Sequence, residues 1–312
     1  MSLSEFDLIQ RYFQRPSRHQ QDVILGMGDD AAIVAVPADR QLVVAVDTLA
    51  EGIHFRQSDR PEDIGWKALA VNLSDLAAMG AVPGWWTLSL TLSRVDEVWL
   101  EGFAQGLFEL ADRHGLELIG GDTTRGPLAI SIQAMGLVES GQALLRSAAR
   151  PDDLIYVSGT LGDAAAALEH EQQAELARRL HRPVPRLELG RNLRDLAHAC
   201  IDVSDGLLAD LGHIAKASGL GAELDSRALP LSPGLRACCP LPQALALACS
   251  GGDDYELCFT LSPEDAPGLD EVASALGLPL TCIGRMVEGS GVVLDQGARP
   301  PWLSGTDGYR HF

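Results

Sequence analysis

Aspartates recur in this chain where an apolar run gives way to small residues. Asp29 and Asp30 follow Gly26-Met27-Gly28, Asp47 ends the apolar run at residues 42–46, Asp122 follows Leu118-Ile119-Gly120-Gly121, and Asp202 and Asp205 flank Ser204. Strand ends are where α/β proteins bind ligands, and glycine beside them lets a phosphate or cation approach the backbone. Mg²⁺ takes hard oxygen ligands, usually a few carboxylates together with water and phosphate oxygens. The pattern points to metal-assisted handling of phosphate. Any one of these aspartates also fits a turn or a helix N-cap, and Ser204-Asp205-Gly206 fits an ordinary helix start. Asp29 is the weaker neighbour of Asp30. What carries the metal reading is the number of sites that share one grammar.

Two further polar residues stand out. Asn72, Asp75 and Met79 fall on one helical face, and a polar pair inside an apolar helix is either a buried network or a site. His54, in Glu51-Gly52-Ile53-His54-Phe55, is either a substrate contact or a loop histidine. Rival phosphate sites fail. Residues 26–31 match G-x-G-x-x-A, but the β-prone run Ile33-Val34-Ala35-Val36 follows where a dinucleotide fold must open a helix. The two lysines, Lys67 and Lys216, lie outside any G-K-[ST] sequence, and the protein-kinase H-R-D and D-F-G segments are absent. If ATP binds, metal, backbone amides and arginine must handle its charge.

The 312 residues are enough for two domains or one large one, and 46% are hydrophobic, so a packed core needs no staple. A formal net charge of −19 argues against nucleic acid and against an anionic membrane surface, while carboxylates bridged by cations still accept a polyanion. The six cysteines form no C-x-x-C pair and no Cys/His spacing typical of zinc, and read as reduced packing residues. Ser2 and Glu5 form a capping-box pattern ahead of Phe6, Ile9 and Phe13, which is not a signal peptide. The apolar stretch at residues 68–92 is broken by Asn72, Asp75 and Pro83 and does not span a membrane. A cytoplasmic location follows.

Strand and helix patterns alternate, giving an α/β or α+β class. Strands are expected at residues 23–25, 32–36, 42–46, 86–92, 116–119, 129–138, 155–157, 200–203, 255–260 and 280–283. Helices are expected at 61–79, 95–114, 163–170, 186–199, 206–217 and 270–276. The domain boundary falls near residue 139, giving domains 1–138 and 139–312. Asn72-Leu73-Ser74-Asp75 and Gly120-Gly121-Asp122 are echoed by Asp202-Val203-Ser204-Asp205 and Gly251-Gly252-Asp253, a pattern compatible with duplication of one α/β unit.

Eight stretches in order resemble the thiamine-monophosphate kinases, a family of the aminoimidazole-ribonucleotide synthetase superfamily. They are residues 28–32 (GDDAA), 47–55 (DTLAEGIHF), 71–81 (VNLSDLAAMGA), 120–125 (GGDTTR), 155–163 (IYVSGTLGD), 199–210 (ACIDVSDGLLAD), 250–257 (SGGDDYEL) and 308–312 (GYRHF). The resemblance implies mixed sheets flanked by helices in two domains, the N-terminal one dimerising, with ATP and several Mg²⁺ ions between them. It implies metal ligation by Asp30, Asp47, Asp75, Asp122, Asp202 and Asp205. It sets Gly121, Asp122, Arg146 and Ser204 near ATP, and His54, Asp253 and Tyr309 near thiamine monophosphate. Family members commonly carry glutamate where Asp253 stands.

The implied reaction is in-line transfer of the γ-phosphoryl of ATP to the acceptor phosphate, with Asp30, Asp122 and Arg146 closest to the chemistry. The acceptor's second pKa lies near about 6, so its oxygen is largely anionic and needs no general base. Two alternatives remain: another ATP-dependent enzyme of the superfamily, such as a cyclising synthetase, and a non-catalytic regulator that binds nucleotide or thiamine phosphate.

Overall fold

The structure is a computed structural model describing residues 5–15, 22–297, 300–303 and 308–309. The chain separates into two compact units, one of residues 1–76 and 81–141, the other of residues 77–80 and 142–312. Ser2 of the expected capping box lies outside the described residues.

The first unit opens with α1 (Glu5–Leu8), which runs into a π-helical turn, Ile9–Phe13. Phe13 is buried edge-on against Phe103, with ring centroids 6.4 Å apart. Short strands β1 (Val23–Leu25) and β2 (Ile33–Val34) pair antiparallel, so a strand and not a helix follows Gly28, as the β-branched run requires. The main sheet holds β3 (Arg40–Ala50), β4 (Val82–Leu92), β5 (Glu117–Arg125) and β6 (Ala129–Glu139) in the order β3-β6-β4-β5. Only the β4/β5 pair is parallel.

Helices α2 (Pro61–Ala78) and α3 (Glu97–His114) approach through glycines. A Cβ on Gly65 would lie 2.1 Å from the Phe103 carbonyl oxygen, and one on Gly106 would lie 1.8 Å from that of Glu62. That closeness buries Phe103 and Leu107 completely, at about 1.5–3 kcal/mol for a side chain of this size. Asp96 caps α3, accepting the Trp99 N–H at 3.1 Å, and Gly115 ends it with φ 69°.

The second unit contains β7 (Leu154–Ser158), α4 (Asp163–Ala167), α5 (Ala174–His181), α6 (Leu187–Leu193), β8 (Ala199–Asp202), α7 (Leu207–Ser218), β9 (Gly221–Leu224), α8 (Pro233–Cys238), α9 (Leu241–Ser250), β10 (Leu257–Leu261), α10 (Gly268–Leu276), β11 (Leu280–Val287) and β12 (Gly291–Leu294). Its sheet runs β12-β9-β11-β7-β10-β8, antiparallel except for β12/β9. A core of Ile155, Val157, Ile201, Leu211, Ile214 and Met286, among others, lies between this sheet and its helices. Through that core runs one charged knot. Glu256 is fully buried; Arg186 Nε donates to its Oε2 at 2.7 Å, Arg179 donates to Oε1 at 2.7 Å, and Ser158 Oγ also donates to Oε2.

The internal echo does not extend to local structure. Asn72-Leu73-Ser74-Asp75 lies within α2, whereas Asp202-Val203-Ser204-Asp205 leaves β8 as a loop. The expected helices at 163–170 and 186–199 close early, at Ala167 and Leu193.

Candidate active site

In the first unit the carboxylates sit on strand and helix as well as turn. Asp30 is exposed in the turn between β1 and β2, and its backbone N–H donates to Asp29 Oδ1 at 2.8 Å, so Asp29 shapes the turn. Asp47 does not end a strand. It lies inside β3, opposite Ile132 of β6, because pairing continues to Ala50. Its N–H donates to Asn72 Oδ1 at 3.0 Å, and Asn72 Nδ2 donates to the Ala68 carbonyl at 3.0 Å. Asn72 is fully buried, so it is the network member of the helical polar pair and fixes α2 to β3 at Asp47. Asp75, in contrast, is the one residue between positions 64 and 78 that is not buried.

Asp122 is also mid-strand, opposite Ser89 of β4. Gly120-Gly121-Asp122 has no apolar alternation, so the sequence pattern alone ends the strand at residue 119. A one-residue register shift there carries the strand on to Arg125. Gly121 permits this: a Cβ on it would stand 2.0 Å from the Leu88 carbonyl oxygen. His54 Nδ1 accepts the Ala50 N–H at 3.0 Å, which makes the ring neutral with its proton on Nε2. Its carbonyl accepts from Lys67 Nζ at 3.3 Å.

In the second unit, β8 is an edge strand that delivers a buried Asp202, 3% exposed, to its end. Asp205 is only half-buried. The loop that follows is held by a residue the sequence reading passed over. Asp210 Oδ2 accepts the N–H groups of Ser204, Asp205 and Gly206 at 2.9, 3.0 and 3.1 Å. Ser204-Asp205-Gly206 is therefore not a side-chain cap. Gly206 is the N-cap, and the acid of the next turn binds the loop from inside α7. An aspartate among the leucines of residues 207–211 was the available signal. Burial, and then the Asp202 and Asp205 carboxylates, push Asp210 up to about 7.

A second loop presses on the first. The Asp253 N–H donates to the Ser204 carbonyl and the Tyr255 N–H to that of Val203, both at 2.8 Å. Asp253 and Tyr255 have φ of 66° and 50°, left-handed values that cost on the order of 1–3 kcal/mol each. The Tyr255 hydroxyl donates to Asp253 Oδ1 at 3.0 Å, which orients that carboxylate. A third segment arrives at the same loop: the Tyr309 N–H donates to the Asp205 carbonyl at 2.9 Å. Asp205, His213, Val292, Leu303 and Tyr309 line a cavity of about 520 Å³. Ser204, Asp205, Asp253 and Tyr309 are thus brought together, with Asp202 at the end of the preceding strand. Arg146 is exposed on a different segment. Leu145 bridges Ala199 in parallel at the free edge of β8, so Arg146 follows alongside that strand.

The donor chemistry suits Mg²⁺. The candidate ligands are carboxylate oxygens, and three carboxylates in the second unit lie close enough to raise the pKa of one of them. A divalent cation relieves that repulsion. Among the described residues, no three of the expected carboxylates bring their oxygens within 4.8 Å of one another. Mg²⁺ keeps several waters and phosphate oxygens and needs only one or two carboxylates.

Comparison with known proteins bears on this geometry. The AIR synthase related protein N-terminal domain matches residues 28–138, and the C-terminal domain of the same family matches residues 150–296. The thiamine-monophosphate kinase of Salmonella typhimurium is 48% identical over 325 aligned positions, which cover 100% of this chain and 99% of that one. The chain belongs to the thiamine-monophosphate kinase family. The crystal structure of the Stenotrophomonas maltophilia K279a thiamine-monophosphate kinase superposes with a TM-score of 0.86 at 52% identity, covering 90% of this chain and 93% of that one. The structure of AaThiL complexed with AMPPCP and TMP superposes at 0.79 with 32% identity, covering 98% and 96%. The family and the two-domain α/β fold implied by the motifs are both upheld.

Proposed function

We propose that this chain phosphorylates thiamine monophosphate with ATP, giving thiamine diphosphate and ADP. The observation that carries the reading is likeness along nearly the whole chain to a family member captured with AMPPCP and TMP. Such a pair presents a nucleotide triphosphate and a phosphate acceptor together.

The proposed metal ligands are Asp30, Asp47, Asp75 and Asp122 in the first unit and Asp202 and Asp205 in the second. Gly121, Asp122, Arg146 and Ser204 are assigned to ATP; His54, Asp253 and Tyr309 are assigned to the acceptor. Bound Mg²⁺ supplies charge neutralisation between two polyanions. The protein's residues do the rest. Asp210 holds the Ser204–Gly206 amides in place, Gly121 permits close backbone approach, and His54 is oriented by the Ala50 N–H at its Nδ1. No residue is assigned as general base, because the acceptor phosphate is already largely ionised at pH 7, its second pKa being about 6. In-line transfer then rests on alignment.

The same reading makes the protein a homodimer in the cytoplasm. Support for the dimer comes from edge strand β3. It exposes Leu42, Val44 and Val46 along one face at 40%, 49% and 65%, and Ile24 and Ile33 of β1 and β2 are exposed by 67% and 50%. Apolar surface of this kind on a sheet marks an interface. Among the described residues, no helix is long and apolar enough to cross a membrane.

The test is incubation with ATP, Mg²⁺ and thiamine monophosphate, followed by separation of the products. Thiamine diphosphate and ADP should form in equal amounts. Binding of both ligands without turnover would leave a regulator, and ADP without thiamine diphosphate would point to another ATP-dependent enzyme of the superfamily.

A further inference from the structure

His170 lies 68 positions before the adjacent Cys238 and Cys239, and the three share no residue with the carboxylate site. Their ligand atoms, one ring nitrogen and two sulfurs, all lie within 4.8 Å of one another. We propose that these three residues form a second cation site, specific for Zn²⁺ and distinct in chemistry from the carboxylate site assigned to Mg²⁺.

The geometry fits before any metal is added. The two sulfurs are 3.6 Å apart. That is far beyond the ~2.05 Å of a disulfide. It is close to the ~3.75 Å that separates two ligands on a tetrahedral ion at ~2.3 Å from each sulfur. Thiolate and imidazole are donors that suit Zn²⁺ and do not suit Mg²⁺. Three protein ligands leave a fourth position for water. The exposed carboxylate of Glu169 is also at hand, and its charge reaches the Cys239 sulfur.

The frame around the site is rigid. Ser232 Oγ accepts the Leu235 N–H at 2.9 Å, capping α8, and donates to Asp163 Oδ1 at 2.6 Å in the first turn of α4. Asp163 Oδ2 in turn accepts from Thr160 Oγ1 at 2.6 Å. The starts of α4 and α8 are thereby locked together; the cysteine pair closes α8, and His170 follows α4 by three residues. The Cys239 N–H donates to the Leu235 carbonyl at 3.0 Å, and the His170 N–H to that of Ala166 at 3.0 Å, so neither ligand rests on a loose segment. Burial, the neighbouring Cys238 thiol and Glu169 raise Cys239 to about 11. Binding one Zn²⁺ replaces two S–H bonds with two Zn–S bonds and releases two protons to solvent, so affinity rises with pH.

The test uses the full chain, reduced and freed of metal by a chelator. Co²⁺ is added as a spectroscopic probe in the presence of excess Mg²⁺, and Zn²⁺ is then titrated in competition. One equivalent of Co²⁺ should bind with thiolate-to-metal charge-transfer absorption, and Zn²⁺ should displace it. Cys238→Ser and His170→Gln should each weaken Zn²⁺ at least about tenfold and leave Mg²⁺-dependent turnover without Zn²⁺ unchanged. Cys238 and His170 are only half-buried, so these variants avoid the packing loss expected at buried Cys239. Absence of the charge-transfer band, or wild-type Zn²⁺ affinity in both variants, would overturn the assignment.

Discussion

Replacing Asp210 isolates the residue that shapes the Ser204–Gly206 loop. In the native protein one carboxylate oxygen accepts three backbone N–H groups at 2.9–3.1 Å from a side chain that is 3% exposed. Asp210→Ala leaves all three donors without that acceptor. The Gly206 amide belongs to a buried residue and bears the full penalty of an unsatisfied buried group, about 1–3 kcal/mol. Ser204 and Asp205 are half-buried and recover part of their loss from water, about 0.5 kcal/mol each remaining. The sum is about 3 kcal/mol, or roughly a hundredfold shift toward the open loop. Asp210→Asn keeps a carbonyl oxygen in place and should lose only about 1 kcal/mol. Native-state hydrogen exchange on a peptide covering residues 200–207 reads this directly. The alanine variant should exchange these amides about a hundredfold faster than wild type, the asparagine variant within about tenfold. Unchanged exchange in the alanine variant, or asparagine as damaging as alanine, refutes the account of how the loop is held.

The remaining predictions concern charge, the core and the interface. Asp210, held at about 7 against an ordinary 3.8, binds its proton more tightly when folded, so its contribution to stability is complete below about 4 and is lost as pH rises through about 7. In chelator-treated protein the thermal midpoint should fall across that window, and Asp210→Asn should flatten the fall. Glu256→Ala strands Arg179 and Arg186 in the core and should cost about 3–5 kcal/mol, measured by urea unfolding of the second unit. Val46→Glu, on a residue 65% exposed, should convert a dimer to monomer by sedimentation while leaving the monomer's fold intact. Asp30→Asn and Asp122→Asn should each lower the rate and raise the Mg²⁺ requirement together; full activity at low Mg²⁺ in either would remove that residue from the ligand set.

What could be read from sequence followed the strength of local pattern. Helices α2 and α3 were legible because proline or aspartate opens them, apolar residues repeat at helical spacing, and Gly115 closes the second. Only about half of strand β3 is legible, because Arg40-Gln41 and Asp47-Thr48 bound its apolar run and only full-length pairing with β6 makes Asp47 an interior residue. The stretch Gly120-Gly121-Asp122 reads locally as a turn, and the neighbouring strand overrules it. Strands β9 and β12 have four residues each, too few to show a period, and α9 begins at Leu241-Pro242. The site residues were legible as types. Their holders, Asp210 for the loop and Tyr255 for Asp253, were not, since each acts through a contact that only the fold creates. The cysteine pair and His170 were invisible for the same reason.

The order of strands in the second unit has a kinetic meaning. Every neighbouring pair in β12-β9-β11-β7-β10-β8 is non-consecutive along the chain, so no strand there pairs with the next one synthesised. Leu154 of β7 finds its partner at Leu261 of β10, more than a hundred residues later. Such contacts return nothing until long loops close, which slows folding. Meanwhile Leu154-Ile155-Tyr156-Val157, an apolar β-prone segment, waits without a partner as the chain leaves the ribosome. This is the stretch on which a chaperone would gain the most, and on which rapid overexpression would first produce aggregates.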